Sequence, residues 1–411
     1  MRADELRRRL RDAPLPDERE AGDRGWRVVR AAYSERHPAG APATAPRRLA
    51  AALVAAVIVL AVVLTPAGAK VVDFVRDVVR PDAREAKPLT SLPAPGSLLV
   101  ESARGPWIVR EDGSQRLLGA YRQAEWSPHG YYVAVTSEQQ LSAVEPDGTV
   151  HWSLNRADPR DPRWVPQTGY RIAYRTGSSM RVVAGDGVDD HLLDPSVART
   201  PPAWRPVPLA RAKATEGEAG ANVVAVAEPD GSIEAIDADT RTVYWRTPPG
   251  RVPTELAWSA DASRVVALSG SDLRVFSGGG RLLRTVRLPS GMEATDGAFA
   301  PAGKSFAVTA TAVRGKARRS ALFTVALGAD HPRARPLLAD PGTFDALAWS
   351  PDGRWLLIGW RDADAWLFLR PEHPGDVETA GQISRQFSPG SDGASGAPRP
   401  VGWCCTAIGG S

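Results

Sequence analysis

The sequence is poor in the residues on which most catalytic and metal sites depend. Of its 411 residues only two are cysteines, the adjacent Cys404 and Cys405, and six are histidines, none at the spacing of metal ligands. Two neighbouring cysteines cannot supply a disulfide framework or a set of zinc ligands. Gly-x-x-x-x-Gly-Lys-Ser/Thr loops, Gly-x-Ser-x-Gly elbows and His-Glu-x-x-His pairs are also absent from the sequence. We therefore predict no catalytic residue, no metal site and no cofactor.

Lysine is scarce as well. The chain carries 51 Lys and Arg against 47 Asp and Glu, a net charge of +4, and only five of its basic residues are lysines. Preference for Arg over Lys is typical of high-GC genomes and favours an actinobacteria-like bacterial source. No basic stretch is interleaved with stacking aromatic residues, so we expect no nucleic-acid partner.

Long apolar runs are limited to one, at residues 49–69, where 21 consecutive positions carry no charge. A helix of about 20 apolar residues crosses the ~30 Å hydrocarbon core of a bilayer. Residues 1–48 contain twelve arginines, including Arg47 and Arg48 directly before the run. The positive-inside rule then places the N-terminus in the cytoplasm and the rest of the chain outside. The pattern predicts a single-pass plasma-membrane anchor, with signal-peptide cleavage after the small residues at 67–69 as the alternative.

The flanks of this run have different compositions. Residues 1–48 are polar and predict a cytoplasmic, partly helical or disordered segment, in which Trp26, Val29 and Tyr33 share one helical face. Such a face could bind a cytosolic partner. Residues 70–95 continue with apolar positions at helical spacing and then several prolines, which predicts a juxtamembrane helix and a Pro-rich stalk.

A turn motif recurs from residue 126 onward. In each copy a short strand ends in an aromatic residue, a turn follows, and the next strand is apolar. The version at 349–353, Trp-Ser-Pro-Asp-Gly, is complete, because Pro351 fixes φ, Asp352 suits a turn and Gly353 permits positive φ. The aromatic positions are 38, 40, 54, 41 and 50 residues apart, the length of a four-stranded propeller blade with insertions. They are Trp126, Trp164, Trp204, Trp258, Phe299 and Trp349.

The two ends of this region complement each other. Trp403 resembles the end of another first strand, whereas residues 97–118 contain three strands that lack a first. Together they predict one split blade that closes a ring and removes its exposed sheet edges. We expect residues 96–411 to form an all-β, seven-bladed β-propeller of antiparallel blades, with six blades as the alternative if Trp403 stays outside the sheet.

The motif resembles the repeats of TolB-type and WD-repeat-like propellers, in which a Trp-Ser-Pro-Asp-Gly turn precedes an apolar strand. This resemblance implies a ligand-binding or scaffolding platform and transfers no catalytic residue. Residues 235–245 are similar to the tryptophan-docking repeat of pyrroloquinoline-quinone propellers, with Arg241 in place of a Gly. That second resemblance implies that Trp245 packs between blades.

Two features have alternative interpretations. Cys404 and Cys405 could form a vicinal disulfide, which in quinoprotein alcohol dehydrogenases lies beside the cofactor; or strand alternation could send both to opposite faces as small core residues. The acidic stretch at 185–190 could bind calcium, or it could be an ordinary turn between strands.

Three functional hypotheses follow. The first is a non-enzymatic propeller, anchored in the membrane and exposed outside the cell, that binds a protein, peptide or envelope polymer at one face. The second is a transmembrane regulator that signals through residues 1–48, similar in layout to membrane anti-sigma factors. The third is a quinoprotein-like oxidoreductase, for which the cysteine pair is the only support.

Overall fold

The computed structural model describes residues 87–168, 170–206, 220, 222–388 and 397–405. The predictions for residues 1–48, for the apolar run at 49–69 and for the helix that follows it lie outside these residues. Within the described part of the chain, no helix has the length and apolar character needed to cross a membrane.

The described residues form seven sheets, each of four antiparallel strands. β1 (Ser97–Ser102), β2 (Gly105–Val109) and β3 (Gln115–Leu117) belong to blade 1. Blade 2 consists of β4 (Gln123–Trp126), β5 (Val133–Thr136), β6 (Gln140–Val144) and β7 (Val150–Asn155). Blade 3 consists of β8 (Pro159–Trp164), β9 (Arg171–Thr176), β10 (Ser179–Ala184) and β11 (His191–Asp194). Blade 4 consists of β12 (Ala203–Trp204), β13 (Val223–Ala227), β14 (Ile233–Asp237) and β15 (Val243–Arg246).

The remaining blades repeat this order. Blade 5 consists of β16 (Glu255–Trp258), β17 (Arg264–Ser269), β18 (Asp272–Ser277) and β19 (Leu282–Arg287). Blade 6 consists of β20 (Glu293–Phe299), β21 (Ser305–Arg314), β22 (Ala317–Ala326) and β23 (Ala334–Pro341). Blade 7 consists of β24 (Phe344–Trp349), β25 (Leu356–Trp360), β26 (Ala365–Arg370) and β27 (His373–Gly381), with a 3-10 turn at Arg361–Ala363. A short helix, α1 (Ile383–Phe387), precedes β28 (Arg399–Cys404).

The ring closes through blade 1. β28 pairs antiparallel with β1, so that Trp403 lies opposite Leu98 and Gly402 opposite Leu99. The innermost strands also contact one another in sequence around the ring, and β28 contacts both β24 and β4. The predicted split blade and the predicted seven blades are therefore confirmed, because Trp403 enters the sheet.

The core lies in layers between neighbouring blades. The second strand of a blade is covered on both faces. Every residue of β5, β13 and β25 is accordingly buried, and all of them are apolar except Thr136 at the end of β5. The fourth strands lie at the rim, and most residues of β7 and β15 are exposed or half-buried. This gradient from a buried middle to a solvated rim explains why the second strands gave the clearest sequence pattern.

Residues 87–95 pack on the propeller. Leu89 and Leu92 are buried in a cluster shared by blades 1 and 7. The Leu92 N–H donates to Glu111 O at 2.9 Å, and Lys87 O accepts from the Gly381 N–H at 3.0 Å. The expected stalk differs here from the structure, because the apolar side chains between its prolines are buried, and from residue 87 onward the segment is part of the propeller body.

The two faces of the ring carry different connections. One face, which we call the mark face, carries the turns that join the first strand to the second and the third strand to the fourth. The aromatic residue of each repeat turn therefore lies where its first strand reaches this face. The opposite face carries the turns from second to third strand and the connections between blades. The turn to which a residue belongs therefore decides on which face of the ring it lies.

Candidate functional site

The aromatic repeat positions serve the blade interfaces. Six of them are the last residues of the first strands, and Trp403 is the penultimate residue of β28. The Trp204 indole N–H donates to Arg163 O at 2.8 Å, and the Trp349 indole N–H donates to Ala298 O at 3.2 Å. Each of these bonds reaches the preceding blade. The buried indole N–H groups of Trp126, Trp164, Trp258 and Trp403 have no hydrogen-bond partner among the described residues, so these side chains contribute by packing. Trp164 also lines a groove on the mark face of the ring.

The polar side chains of the complete turn at 350–353 form hydrogen bonds within the turn and to the residue that follows it. Asp352 Oδ1 accepts hydrogen bonds from the Ser350 hydroxyl at 2.5 Å and from the Arg354 N–H at 3.0 Å. Gly353 has φ 69°, with Pro351 before it in the turn. Burial alone would raise the pKa of Asp352, but the bonds from Ser350 and Arg354 outweigh it and hold that pKa below its usual value. This turn is structural.

A groove of 910 Å³ opens on the mark face across blades 2, 3 and 4. Three of the six histidines of the chain line it, together with three of its seven tyrosines. Tyr131 and Tyr170 are 58% and 42% exposed. Its lining includes His129, Tyr131, His151, Tyr170, Arg171 and His191.

The floor of the groove is a polar network that joins blades 3 and 4. Asp239 accepts from Arg171 Nε at 2.8 Å and from the Asn222 side-chain amide at 2.7 Å. His191 Nδ1 lies 3.0 Å from Asp189 O, and its Nε2 lies 2.8 Å from Ala238 O in the neighbouring blade. Because these groups already hold one another, the floor is preformed and can orient a ligand without rearrangement.

Aromatic side chains form the walls. The rings of Tyr132 and His151 lie with their centroids 4.7 Å apart, and those of His129 and Tyr131 are 6.3 Å apart. An exposed tyrosine offers a flat apolar surface and a hydroxyl at little cost in side-chain entropy, a combination common at recognition surfaces. The groove can therefore combine stacking contacts at its walls with hydrogen bonds at its floor.

The cysteine pair lies beside this groove. Cys404 and Cys405 form a vicinal disulfide at the end of β28. Cys404 Sγ lies 3.7 Å from Ser127 O, and Cys405 Sγ lies 3.4 Å from Pro128 O. Ser127 and Pro128 line the groove on their other side. The closing strand of the ring thus supports the turn that carries His129.

The acidic stretch at 185–190 has a structural use. Asp190 accepts hydrogen bonds from Tyr174, from Arg156 and from Arg181, whose Nη2 lies 2.6 Å from Asp190 Oδ2. Burial would raise the pKa of Asp190, but these donors lower it below the usual value. Two guanidinium groups therefore compensate its charge, as in the ordinary-turn interpretation.

The central channel carries mostly acidic groups. Burial raises the pKa of Glu255 and Asp296, and Arg163 opposes this shift in both. Arg163 Nη1 lies 3.4 Å from Glu125 Oε2. Charged residues in the innermost strands, such as those of β8, β16 and β20, were the available sequence signal for this channel. The acidic residues whose charges interact there are Glu101, Glu125, Asp161, Glu255, Asp296 and Asp345, with Arg163 and Arg399 among the bases.

Two segments lengthen the regular blades, an insertion at 209–220 and a basic stretch at 314–319. The insertion at 209–220 lies outside the described residues except for Gly220. The basic stretch at 314–319 forms the tip between β21 and β22 on the opposite face. Trp245 does dock between blades as expected, since its indole N–H donates to Gly278 O at 2.9 Å.

Comparisons with known proteins find the fold and no family. No family model matches the chain, and no curated protein matches it. Similar solved structures include hydrazine synthase of Kuenenia stuttgartiensis, with 17% identity, a TM-score of 0.47, and coverage of 60% of this chain and 75% of that one. The β-propeller domain of Cps50 (Swd1) from Myceliophteria thermophila has 12% identity and a TM-score of 0.46, with 63% and 85% covered. KlHsv2 with its loop 6CD replaced by a Gly-Ser linker has 12% identity and a TM-score of 0.50, with 67% and 89% covered. At such identities the likeness concerns the fold alone.

Proposed function

We propose that this propeller is a non-enzymatic binding module that holds an extended peptide or protein segment in the groove of blades 2 to 4. The observation that carries the proposal is the groove itself, with exposed Tyr131 and Tyr170 above a fixed polar floor. Its volume suits a few residues of extended chain, and its mixed aromatic and polar lining matches the anatomy of recognition sites.

The use of the polar groups supports binding over catalysis. Arg171, Asp239 and Asn222 bind one another, and His191 contacts two backbone carbonyls. A catalytic base instead needs to be within reach of the proton that it takes. Groups engaged in this way are suited to fixing the orientation of a ligand.

A panel of displayed peptides tests the groove. Peptides selected on the wild-type chain are measured against the double variant Tyr131→Ala/Tyr170→Ala. We expect their dissociation constants to rise at least about tenfold, since such aromatic anchors commonly contribute more than 1 kcal/mol each. The matched control is Leu282→Ala/Val313→Ala, which removes two exposed apolar side chains outside the groove and should leave binding unchanged. Equal binding by the tyrosine variant and the wild type would show that the groove is not the site.

We further propose that the module is held at the outer face of the plasma membrane. The support is the uncharged run at 49–69, with Arg47 and Arg48 before it, together with a disulfide, which persists in oxidising compartments. Reporter fusions after residues 48 and 96 test this arrangement: activity of a periplasmic-type reporter is expected only from the second fusion. Activity from the first fusion would show that the N-terminus lies outside the cell, contrary to the proposal.

Residues 1–48 support a second role, as the cytosolic part of a transmembrane regulator. The shared helical face of Trp26, Val29 and Tyr33 is the feature that favours it. A pull-down with the 1–48 segment, compared with a variant carrying alanine at these three positions, tests it. Specific recovery of a cytosolic protein by the native segment alone is expected, and identical recoveries would argue against the role.

A further inference from the structure

Three carboxylates meet on the face opposite to the groove, where blade 3 adjoins blade 4. Asp194 ends β11, Glu228 begins the turn between β13 and β14, and Glu234 lies in β14. One oxygen from each side chain can be chosen so that all three lie within 4.8 Å of one another. Two oxygens bound to one ion at about 2.4 Å lie at most about 4.8 Å apart, so the spacing of the three carboxylates is compatible with a single shared cation.

A second observation comes from Glu228. This side chain is 9% exposed, and its Oε1 atom has no hydrogen-bond partner among the described residues. A buried oxygen without a partner is costly, and more so when it carries charge. Burial, together with the charges of Asp194 and Glu234, raises the pKa of Glu228 to about 7. Arg246 opposes this shift, but the pKa of Glu228 stays raised.

A basic residue, Arg246, faces the cluster. Arg246 Nη1 lies 3.1 Å from Glu234 Oε1, and its Nη2 lies 3.6 Å from Asp230 Oδ2. Its side chain is half exposed. One guanidinium cannot balance four carboxylates, and its hydrogens point to Glu234 and Asp230 rather than to Glu228. The arrangement leaves a concentration of negative charge around a buried oxygen.

We propose that Asp194, Glu228 and Glu234 bind a divalent cation of the calcium type, which clamps blade 3 to blade 4. The donors are all carboxylate oxygens, which suit hard cations, whereas zinc and copper favour the nitrogen and sulfur ligands that this cluster does not contain. Neighbouring backbone supports the clamp, because Ala198 between the two blades donates its N–H to Ala227 O at 2.7 Å. The cation joins ligands from both sides of this connection.

Calorimetric titration of the full chain with calcium chloride, after removal of metals with a chelator, tests the proposal. We expect one ion to bind near pH 8 and to raise the thermal midpoint, because a ligand that binds only the folded state stabilises it. Glu228→Gln and Asp194→Asn are each expected to weaken binding by at least about tenfold, as loss of a charged ligand commonly does. Glu228→Gln should still fold, since it removes a buried charge that the structure leaves uncompensated.

The matched control is Asp340→Asn, another buried carboxylate with a raised pKa, about 6, that lies outside the cluster. It should bind calcium as the wild type does. No heat of binding at millimolar calcium, or equal affinity of the wild type and Glu228→Gln, would overturn the proposal.

Discussion

Two turns at the same place in the repeat are used in opposite ways. The turn at 350–353 and the turn at 127–130 both follow a tryptophan and both end in a glycine with positive φ, 69° and 72°. In the first turn, Asp352 accepts hydrogen bonds from the Ser350 hydroxyl and the Arg354 N–H. In the second, His129 stands at the position of Asp352, is exposed and lines the groove.

The comparison shows that the aspartate is not required for the turn geometry. Ser127 Oγ still accepts the Tyr132 N–H at 3.0 Å, as Ser350 Oγ accepts the Trp355 N–H at 2.9 Å. The two turns share serine, proline and glycine, and the third position of the turn is available for another use. The complete copy uses its polar atoms to stabilise the fold, whereas two of the copies that depart from the motif, in blades 2 and 3, line the groove.

Alanine substitutions of the two turn glycines should show how differently the two turns are packed. Alanine at position 130 or 353 should lower the free energy of unfolding by about 1 kcal/mol, because the backbone at both positions has positive φ. A Cβ on Gly130 would also lie 3.2 Å from Cys405 Sγ, whereas one on Gly353 has Pro301 Cδ at 3.5 Å, an ordinary contact. We expect Gly130→Ala to lower the free energy of unfolding by about 2 kcal/mol and Gly353→Ala by about 1 kcal/mol in urea titrations. Equal losses would mean that the disulfide does not support the groove turn.

Removal of Asp352 should test the structural turn alone. Asp352→Ala loses the bonds from Ser350 and Arg354, which we expect to cost about 1 to 2 kcal/mol near neutral pH. Because the pKa of Asp352 is lowered in the folded state, its stabilisation is present above the unfolded value near 4 and is lost as the pH falls through the folded value. The difference between variant and wild type in thermal unfolding should therefore shrink toward pH 3. Asp352→Asn, which keeps one acceptor oxygen, should lose less; a pH-independent loss would contradict the explanation.

The sequence was sufficient to predict the ring because the ring depends on local and periodic features. The spacing of the aromatic residues defines the blades, and Trp403 completes the blade that begins at β1. The expectation failed to place residues 87–95 correctly, since prolines suggested a spacer where Leu89 and Leu92 are buried. Composition describes such a segment, but only the neighbouring blades decide whether its few apolar side chains are covered.

The candidate sites depend on residues that are distant in sequence, and the repeat pattern does not relate them. The groove joins His129 to Tyr170 and Asp239, from three blades, and the carboxylate cluster joins Asp194 to Glu228 and Glu234. Their proximity requires the curvature of the ring and the orientation of each turn. A usable signal was nevertheless present in the departures from the repeat, such as histidine in place of aspartate at 129.

An aspartate at position 129 should stabilise the fold and weaken the binding of peptides in the groove. In His129→Asp the new carboxylate can accept from the Ser127 hydroxyl and from the N–H of residue 131, as Asp352 does in its own turn. We expect a gain of about 0.5 to 1 kcal/mol in the free energy of unfolding near pH 7, lost below about pH 4 as the carboxylate is protonated. Peptides selected on the groove should bind this variant more weakly. His129→Ala is the control, because it should weaken the same peptides while changing stability by less than about 0.5 kcal/mol. A destabilised His129→Asp would show that the turn at 127–130 is held by the groove and the disulfide in a shape that the complete motif cannot adopt.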